Sequence, residues 1–192
     1  DGLLVPRVAD AEVCRASIAA MRFGPHGDRG LGSTSRAGRW GLDATPEYLA
    51  AGERGVVRGV QLEEQAALRA IDEILAVDGL GAVFIGTGDL SLSSGKPATD
   101  PENARLIDAT LDACRAASVP CGTAVGDAAS ARSAAGRGFR FVMVSNDATL
   151  FAGTWQPPSC NGREDVDMLD HVLHWFLLSD LVANGRSVNT GL

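Results

Sequence analysis

Short runs of apolar residues alternate along this chain with longer segments in which apolar positions recur every three or four residues. The short runs predict five strands, over 3–8, 56–63, 82–86, 119–125 and 139–144. The longer segments predict helices over 11–21, 46–51, 64–76, 101–118 and 128–135. Strands that alternate with helices of this length form right-handed βαβ units around a parallel sheet. We therefore predict an α/β fold with about five parallel strands.

The pattern changes after residue 152. The adjacent Pro157 and Pro158 predict a linker over 153–163. The remainder, 164–192, predicts a C-terminal helix with one apolar stripe, followed by a short tail. A five-stranded parallel sheet has edges and apolar surfaces that need covering, so we also predict self-association into a homo-oligomer.

Chain length, net charge and hydropathy disfavour several classes of protein. A chain of 192 residues is long enough for one domain with a sizeable core. The 24 acidic and 17 basic side chains give a net charge of -7, which disfavours a nucleic-acid partner because such partners need basic surfaces. No apolar run reaches the roughly 18 residues of a membrane span, and no signal segment opens the chain. We predict a soluble, cytoplasmic protein.

Neither the cysteines nor the lysine content points to a reactive site. Cys14, Cys114, Cys121 and Cys160 show no metal-binding spacing and are predicted to be reduced, mostly buried thiols. The only lysine, Lys96, lies in a Ser/Gly-rich segment beside a proline, where burial would be hard to arrange. Schiff-base catalysis is therefore disfavoured.

Candidate chemistry appears where two strands end. Gln61 and Glu63 lie on one face of their strand because side chains alternate with a period of two. Asp89 follows the next apolar strand and lies beside Gly88. If the two strands are neighbours, Glu63 and Asp89 share the carboxyl end of the sheet, where α/β proteins bind ligands. Two carboxylates at that position suit a hard divalent cation.

A purely structural interpretation of these acids stays open. Glu63 is placed to cap the following helix, and Asp89 to form an Asx turn, since acids at strand-to-helix junctions are common helix-start signals.

Five segments of the chain resemble the HpcH/HpaI aldolase family, in family order, from Leu3 to about Phe151. They are Leu3-Leu4-Val5-Pro6, Arg29-Gly30-Leu31-Gly32 with Arg36-Ala37, Val60-Gln61-Leu62-Glu63, Phe84-Ile85-Gly86-Thr87-Gly88-Asp89-Leu90-Ser91, and Gly138-Phe139-Arg140-Phe141-Val142 up to Asp147. The resemblance implies a (β/α)8 TIM-barrel type of fold, here a partial barrel over 1–152. It also implies a C-terminal helix that either swaps between subunits or covers the open face of the barrel.

The resemblance also implies a chemistry. The family's metal-dependent class II aldolases cleave a 4-hydroxy-2-oxo acid or a 2-keto-3-deoxy sugar acid to pyruvate and an aldehyde, through a metal-stabilised enolate. By this resemblance Glu63 and Asp89 hold Mg²⁺, Mn²⁺ or Co²⁺, Gln61 contacts the substrate, and the Gly88 amide binds its carboxylate. Thr87 and Gly88 stand where the family usually has Pro and Ala, which loosens this loop but keeps its amides.

The resemblance leaves the catalytic base unassigned. Family barrels carry a histidine base and an arginine in three βα units that precede the strand over 3–8, and this chain offers no candidate for either. We expect a fragment or a truncated form. Two alternatives remain: a citrate-lyase-β-like acyl-CoA lyase, or a catalytically incomplete half-barrel scaffold.

Other candidates carry less weight. His26 is expected to be an exposed loop residue. Arg29 and Arg36 are suited to bind a substrate carboxylate, but anchoring of their own loop explains them equally well. His171 and His174 lie on one side of the last helix without a third ligand.

Overall fold

The computed structural model describes residues 1–154. This part of the chain contains five strands, eight α-helices and a short 3-10 helix over Arg36–Gly41. In chain order the elements are β1 (Gly2–Val5), α1 (Ala11–Met21), α2 (Thr45–Arg54), β2 (Val57–Leu62), α3 (Gln65–Arg69), α4 (Ile71–Leu75), β3 (Ala82–Ile85), α5 (Thr87–Ser94), α6 (Pro101–Ala116), β4 (Cys121–Val125), α7 (Ala128–Arg137), β5 (Phe141–Val144) and α8 (Asp147–Thr154). The chain divides into two compact units, of which the first is Asp1–Thr123 and the second begins at Ala124.

The strands form one sheet in the order β1-β2-β3-β4-β5. The pairs β1–β2, β2–β3 and β3–β4 are parallel. Strands that follow each other in chain order without a reversal are typical of a βα barrel, whereas doubly wound sheets reverse at a switch point. The predicted α/β fold with five parallel strands is confirmed.

The core of the first unit lies on the two central strands. Val60, Leu62, Val83 and Ile85 are fully buried. Strands of a parallel sheet that are covered on both faces consist of near-continuous apolar runs, and β3, with the sequence Ala-Val-Phe-Ile, is buried along its whole length. By contrast, Leu3 and Leu4 of β1 are exposed, because β1 lies at the edge of the described sheet.

The register of β2 and β3 places the carboxyl ends of these two central strands side by side. Leu62 of β2 pairs with Ile85 of β3, and the Gly86 amide donates to the Leu62 carbonyl at 3.0 Å. Residues 63 and 86 therefore leave the sheet side by side at its carboxyl end.

The second unit is described here from Ala124 to Thr154. Asp127 caps the N-terminus of α7, where its carboxylate accepts from the Ser130 amide at 2.8 Å, and Gly138, with φ of +109°, caps the C-terminus. Beyond β5, the Ser145 amide donates to the Val125 carbonyl at 2.8 Å. The predicted linker over 153–163 and the predicted helix over 164–192 lie outside the described residues, apart from the last two residues of α8.

Two helical segments differ from the sequence prediction. The helix predicted over 64–76 is broken at Ala70, where φ and ψ are -89° and 15°, so that α3 and α4 are separate. Helix α5 was not predicted, because its Thr-Gly-Asp-Leu-Ser-Leu-Ser-Ser sequence is poor in helix formers. Its serines donate back to carbonyls one turn earlier, Ser91 to Thr87 and Ser94 to Leu90, both at 2.7 Å, and buried Leu90 anchors it.

Helix α6 contains a buried amide that connects three segments. The side chain of Asn103 is completely buried. Its Nδ2 donates to Ser94 Oγ at 3.0 Å and to the carbonyls of Lys96 and Pro97 at 3.1 and 3.0 Å. Its Oδ1 accepts from Gln65 Nε2 at 2.9 Å. This residue thereby holds the end of α5 and the following loop against α3 and α6.

We predict that Asn103→Ala lowers the free energy of unfolding by about 3 kcal/mol, because buried partners lose their hydrogen bonds. Thr110→Val is the matched change in the same helix: the Thr110 hydroxyl is buried and has no hydrogen-bond partner among the described residues. Its replacement by a methyl group should raise the free energy of unfolding by about 1 kcal/mol. Urea denaturation followed by circular dichroism measures both, and equal effects of the two substitutions would contradict the assignment.

Candidate active site

Glu63 is the centre of the candidate site. It follows β2 directly, and only 4% of the residue is exposed. Its Oε1 accepts from the backbone amide of Arg7 at 2.8 Å, and its Oε2 accepts from Gln61 Nε2 at 2.7 Å. A buried carboxylate is thus held in one orientation by one donor from the β1 side and one from its own strand.

Both of these donors are neutral. None of the ion pairs among the described residues involves Glu63. Removing an ionised carboxylate from water costs on the order of several kcal/mol, and burial without a cation leaves that cost uncompensated. The surroundings of Glu63 therefore fit a cation that binds from outside the chain.

Gly86 makes room for this carboxylate on the β3 side. A Cβ atom at Gly86 would lie 2.9 Å from Glu63 Oε2 and 2.8 Å from Gln61 Nε2, both closer than real Cβ contacts. Only glycine fits there without displacing one of the two side chains. The Ser93 hydroxyl of α5 also donates to the backbone carbonyl of Glu63 at 3.2 Å, which ties α5 to the end of β2.

Asp89 is the third residue of α5 and is exposed. Its carboxylate makes no hydrogen bond or ion pair with any described residue, in contrast to the fixed carboxylate of Glu63. An acid in the first turn also stabilises the helix through the helix dipole, so this position serves the helix as well. Because Asp89 follows β3 and Glu63 follows β2, both acids lie at the carboxyl end of neighbouring strands, as predicted.

Gly88 lies between Thr87 and Asp89 in the same turn. The first amides of a helix have no intrahelical acceptor, and the space where a Gly88 Cβ would lie is open to 4 Å. These amides can donate to an anion.

The structural interpretation of Glu63 is wrong. The N-terminal cap of α3 is Glu64, which makes no side-chain capping bond, and Glu63 accepts from Arg7 and Gln61 instead. The donor set of Glu63 and Asp89 consists of carboxylate oxygens, which suits a hard divalent cation. In residues 1–154 no group of three or more His, Cys, Asp or Glu side chains completes a metal site on its own. The remaining ligands would be water or substrate.

The other candidates are distributed elsewhere. His26 is exposed, as predicted. The Arg29 guanidinium lies 4.3 Å from the centre of the Phe23 ring, and Arg36 is exposed in the 3-10 helix. His171 and His174 lie outside the described residues.

The cysteines behave as predicted where they are described. Cys14, Cys114 and Cys121 are buried free thiols, and burial raises the pKa of Cys14 to about 11. Cys160 lies outside the described part of the chain.

Arg7 was missed in the sequence. The strand predicted over 3–8 placed Arg7 inside the strand, whereas β1 ends at Val5, and the Arg7 amide lies against Glu63 at the end of β2. Its φ of +57° is unusual for a residue with a side chain.

Comparison with known proteins gives consistent results. The family model of the HpcH/HpaI aldolase/citrate lyase domain matches residues 1–153. The 2-keto-3-deoxy-L-rhamnonate aldolases of Salmonella schwarzengrund and Salmonella typhimurium are 40% identical over 152 residues, which is 78% of this chain and 56% of each relative. The chain therefore spans a little over half the length of these relatives.

Solved structures of the same family are similar in fold to this chain. An HpcH/HpaI aldolase/citrate lyase family protein from Burkholderia cenocepacia superposes with a TM-score of 0.73 at 26% identity, over 79% of this chain and 61% of that one. The HpcH/HpaI aldolase of Desulfitobacterium hafniense gives 0.72 at 26% identity, over 79% and 60%. The predicted TIM-barrel type of fold, present here as part of a barrel, is confirmed. The chain belongs to the HpcH/HpaI aldolase/citrate lyase family.

Proposed function

We propose that this chain carries the divalent-metal and 2-oxo acid site of an aldolase, a carbon–carbon lyase. Its substrate would be a 4-hydroxy-2-oxo acid or a 2-keto-3-deoxy sugar acid, cleaved to pyruvate and an aldehyde. One observation carries the proposal: the buried Glu63 carboxylate is oriented by neutral donors and lacks a cation among the described residues. The named activity of the Salmonella relatives supports the substrate class.

Each site residue has a role in this proposal. Glu63 and Asp89 would hold Mg²⁺, Mn²⁺ or Co²⁺, and such a cation neutralises the charge that develops on the oxygen of a 2-oxo acid. The amides of the first turn of α5, Gly88 among them, would receive the carboxylate of the 2-oxo acid. Gln61 fixes the rotation of the Glu63 carboxylate through its amide nitrogen, and its amide oxygen is left to contact the substrate.

The environment of Lys96 argues against the Schiff-base route. Its Nζ lies 3.0 Å from Glu102 and 4.0 Å from Asp100. The hydrogen bond to Glu102 raises the pKa of Lys96, so the amine stays protonated at neutral pH. A nucleophilic lysine needs the opposite shift of its pKa.

The acyl-CoA lyase alternative finds little support in the loop over 23–41, which carries three arginines. A pocket for CoA needs several free cations for the phosphates. Arg29 stacks on Phe23 and Arg39 pairs with Asp43 at 3.3 Å, so the exposed Arg36 is the only arginine of this loop without an ion pair or ring contact among the described residues.

We also propose a homo-oligomer and a cytoplasmic location. Among residues 1–154 no helix has the length and apolar character needed to cross a membrane.

Cation binding tests the proposal directly. In calorimetric titrations, wild type should bind Mn²⁺ and bind it more tightly with oxalate present, because oxalate supplies two further oxygen ligands. Glu63→Gln and Asp89→Asn remove one ligand charge each and should lower the Mn²⁺ affinity by more than about 100-fold, beyond the usual effect of outer-shell partners. Unchanged Mn²⁺ affinity in both variants, with intact circular dichroism, would refute the assignment.

Proton exchange separates the aldolase from the scaffold alternative. An aldolase site should exchange the methyl protons of pyruvate with deuterium oxide, measured by NMR, in a manner that depends on Mn²⁺ and Glu63. Binding of Mn²⁺ and oxalate without any exchange would favour the scaffold for this chain.

Gly86→Ala tests the geometry around Glu63. The added Cβ must displace Glu63 or Gln61, so we expect the Mn²⁺ affinity to fall roughly tenfold or more, as with other changes to residues that orient a metal ligand. Gly88→Ala is the matched control, because its Cβ enters open space, and it should change the Mn²⁺ affinity by less than about threefold. Equal losses in the two variants, measured by calorimetry, would contradict the packing described.

Reduction with borohydride in the presence of pyruvate tests the role of Lys96. A protonated Lys96 forms no imine, so mass spectrometry should show no pyruvate adduct, and Lys96→Met should retain Mn²⁺ and oxalate binding. An adduct on wild type that disappears in Lys96→Met would establish the Schiff-base route instead.

A further inference from the structure

We infer that Ser93 is a positioning residue of the candidate metal site. Its hydroxyl holds the helix that carries Asp89 against the end of the strand that precedes Glu63. The inference rests on the proposed function, since it concerns how the same site fixes the geometry of its cation. In this role Ser93 acts through the two carboxylates and makes no contact with the cation itself.

The Ser93 hydroxyl connects two segments of the chain. Its Oγ lies 3.2 Å from the backbone carbonyl oxygen of Glu63 and 3.2 Å from that of Leu90. The Leu90 carbonyl belongs to the same helix, whereas Glu63 follows β2 and lies 30 residues earlier in the chain. The hydroxyl proton is therefore shared between α5 and the backbone of the buried acid.

The other serines of α5 bond within the helix or at its end. The hydroxyls of Ser91 and Ser94 each donate to a carbonyl of the same helix at 2.7 Å. Asn103 holds α5 only at its last residue, through Ser94 Oγ at 3.0 Å. Among the described residues, Ser93 is thus the serine of α5 that reaches the end of β2.

The position of Ser93 in the helix also orients Asp89. Residues four apart in a helix lie on the same face, and Ser93 comes four residues after Asp89. Because Ser93 contacts the Glu63 carbonyl, the face of α5 that includes Asp89 is turned toward the end of β2. Just before α5, the Gly86 amide donates to the Leu62 carbonyl at 3.0 Å. These two contacts lie on either side of Asp89 in the sequence and together restrict its distance from Glu63.

A restricted distance between two carboxylates favours one kind of cation over another. Mg²⁺ requires near-ideal octahedral coordination with oxygens at about 2.0–2.1 Å, whereas Ca²⁺ accepts flexible arrangements with oxygens at about 2.3–2.6 Å. Loss of the Ser93 contact should therefore weaken the binding of Mg²⁺ more than the binding of Ca²⁺. A general loss of helix stability would instead lower both affinities by the same factor.

The test measures cation binding to the full chain without substrate. Electron paramagnetic resonance of free Mn²⁺ gives the Mn²⁺ affinity, and displacement of bound Mn²⁺ gives the affinities for Mg²⁺ and Ca²⁺. In Ser93→Ala the Mn²⁺ affinity should fall about tenfold, and the ratio of the Mg²⁺ affinity to the Ca²⁺ affinity should fall at least about threefold, as expected for a residue that orients metal ligands. Ser93 is exposed, so alanine leaves no cavity in the core. Ser93→Thr, which keeps the hydroxyl, should restore both quantities.

Ser91→Ala is the matched control. It removes a hydroxyl of the same kind from the same helix, but one that donates to the Thr87 carbonyl and not to Glu63. It should change the Mn²⁺ affinity by less than about threefold and leave the ratio of the Mg²⁺ and Ca²⁺ affinities unchanged. Equal losses in Ser91→Ala and Ser93→Ala would show that both hydroxyls act through the stability of α5, and the inference would be overturned.

The remaining outcomes are distinct. A lower Mn²⁺ affinity in Ser93→Ala with an unchanged ratio of the Mg²⁺ and Ca²⁺ affinities overturns the inference, because a loss of stability alone explains it. Wild type and Ser93→Ala that bind all three cations equally overturn the inference and leave the proposed function standing. Wild type that binds no Mn²⁺ refutes the proposed function, and the inference falls with it.

Discussion

The burial of the Glu63 carboxyl group beside two neutral donors is the constraint on which this site depends. The residue is 4% exposed, its carboxyl oxygens accept from a backbone amide and a glutamine side chain, and no ion pair among the described residues involves it. A cation bound from outside the chain would offset the cost of burying an ionised carboxylate there. Around it, Gly86 gives space and Arg7 gives an amide in an unfavourable backbone conformation. A buried acid held next to an unfavourable backbone conformation is typical of functional sites.

Much of the fold and the placement of the candidate site residues could be predicted from the sequence, because buried parallel strands are visible as apolar runs. The runs ending at residues 63 and 86 predicted both β2 and β3, and the rule that parallel strands end at one edge brought Glu63 and Asp89 together. The alternation along β2 placed Gln61 and Glu63 on one face, and the 2.7 Å hydrogen bond between them agrees with that prediction.

The features that could not be predicted depend on interactions that no local sequence pattern encodes. Helix α5 has a weak helical sequence and is stabilised by serine hydroxyls and by buried Leu90. The positive φ of Arg7 accompanies a hydrogen bond to Glu63, which is 56 residues away in the chain. Nothing in the local sequence predicts the break at Ala70. Sequence reasoning proposed Glu63 and Asp89 as ligands of the candidate site but missed the backbone amide of Arg7 that orients Glu63.

The position of Asp89 depends both on the local sequence of α5 and on hydrogen bonds from residues outside this helix. Its helix would be marginal alone, since eight residues with several serines form few stabilising contacts. Ser93 ties this helix to the Glu63 carbonyl, and Asn103 binds Ser94 at the helix end from a completely buried position in α6. The distance between the two candidate metal ligands is therefore determined by side-chain hydrogen bonds to α3, α5 and α6. An exposed carboxylate acquires a defined place in the site because a buried amide elsewhere in the same unit holds its helix.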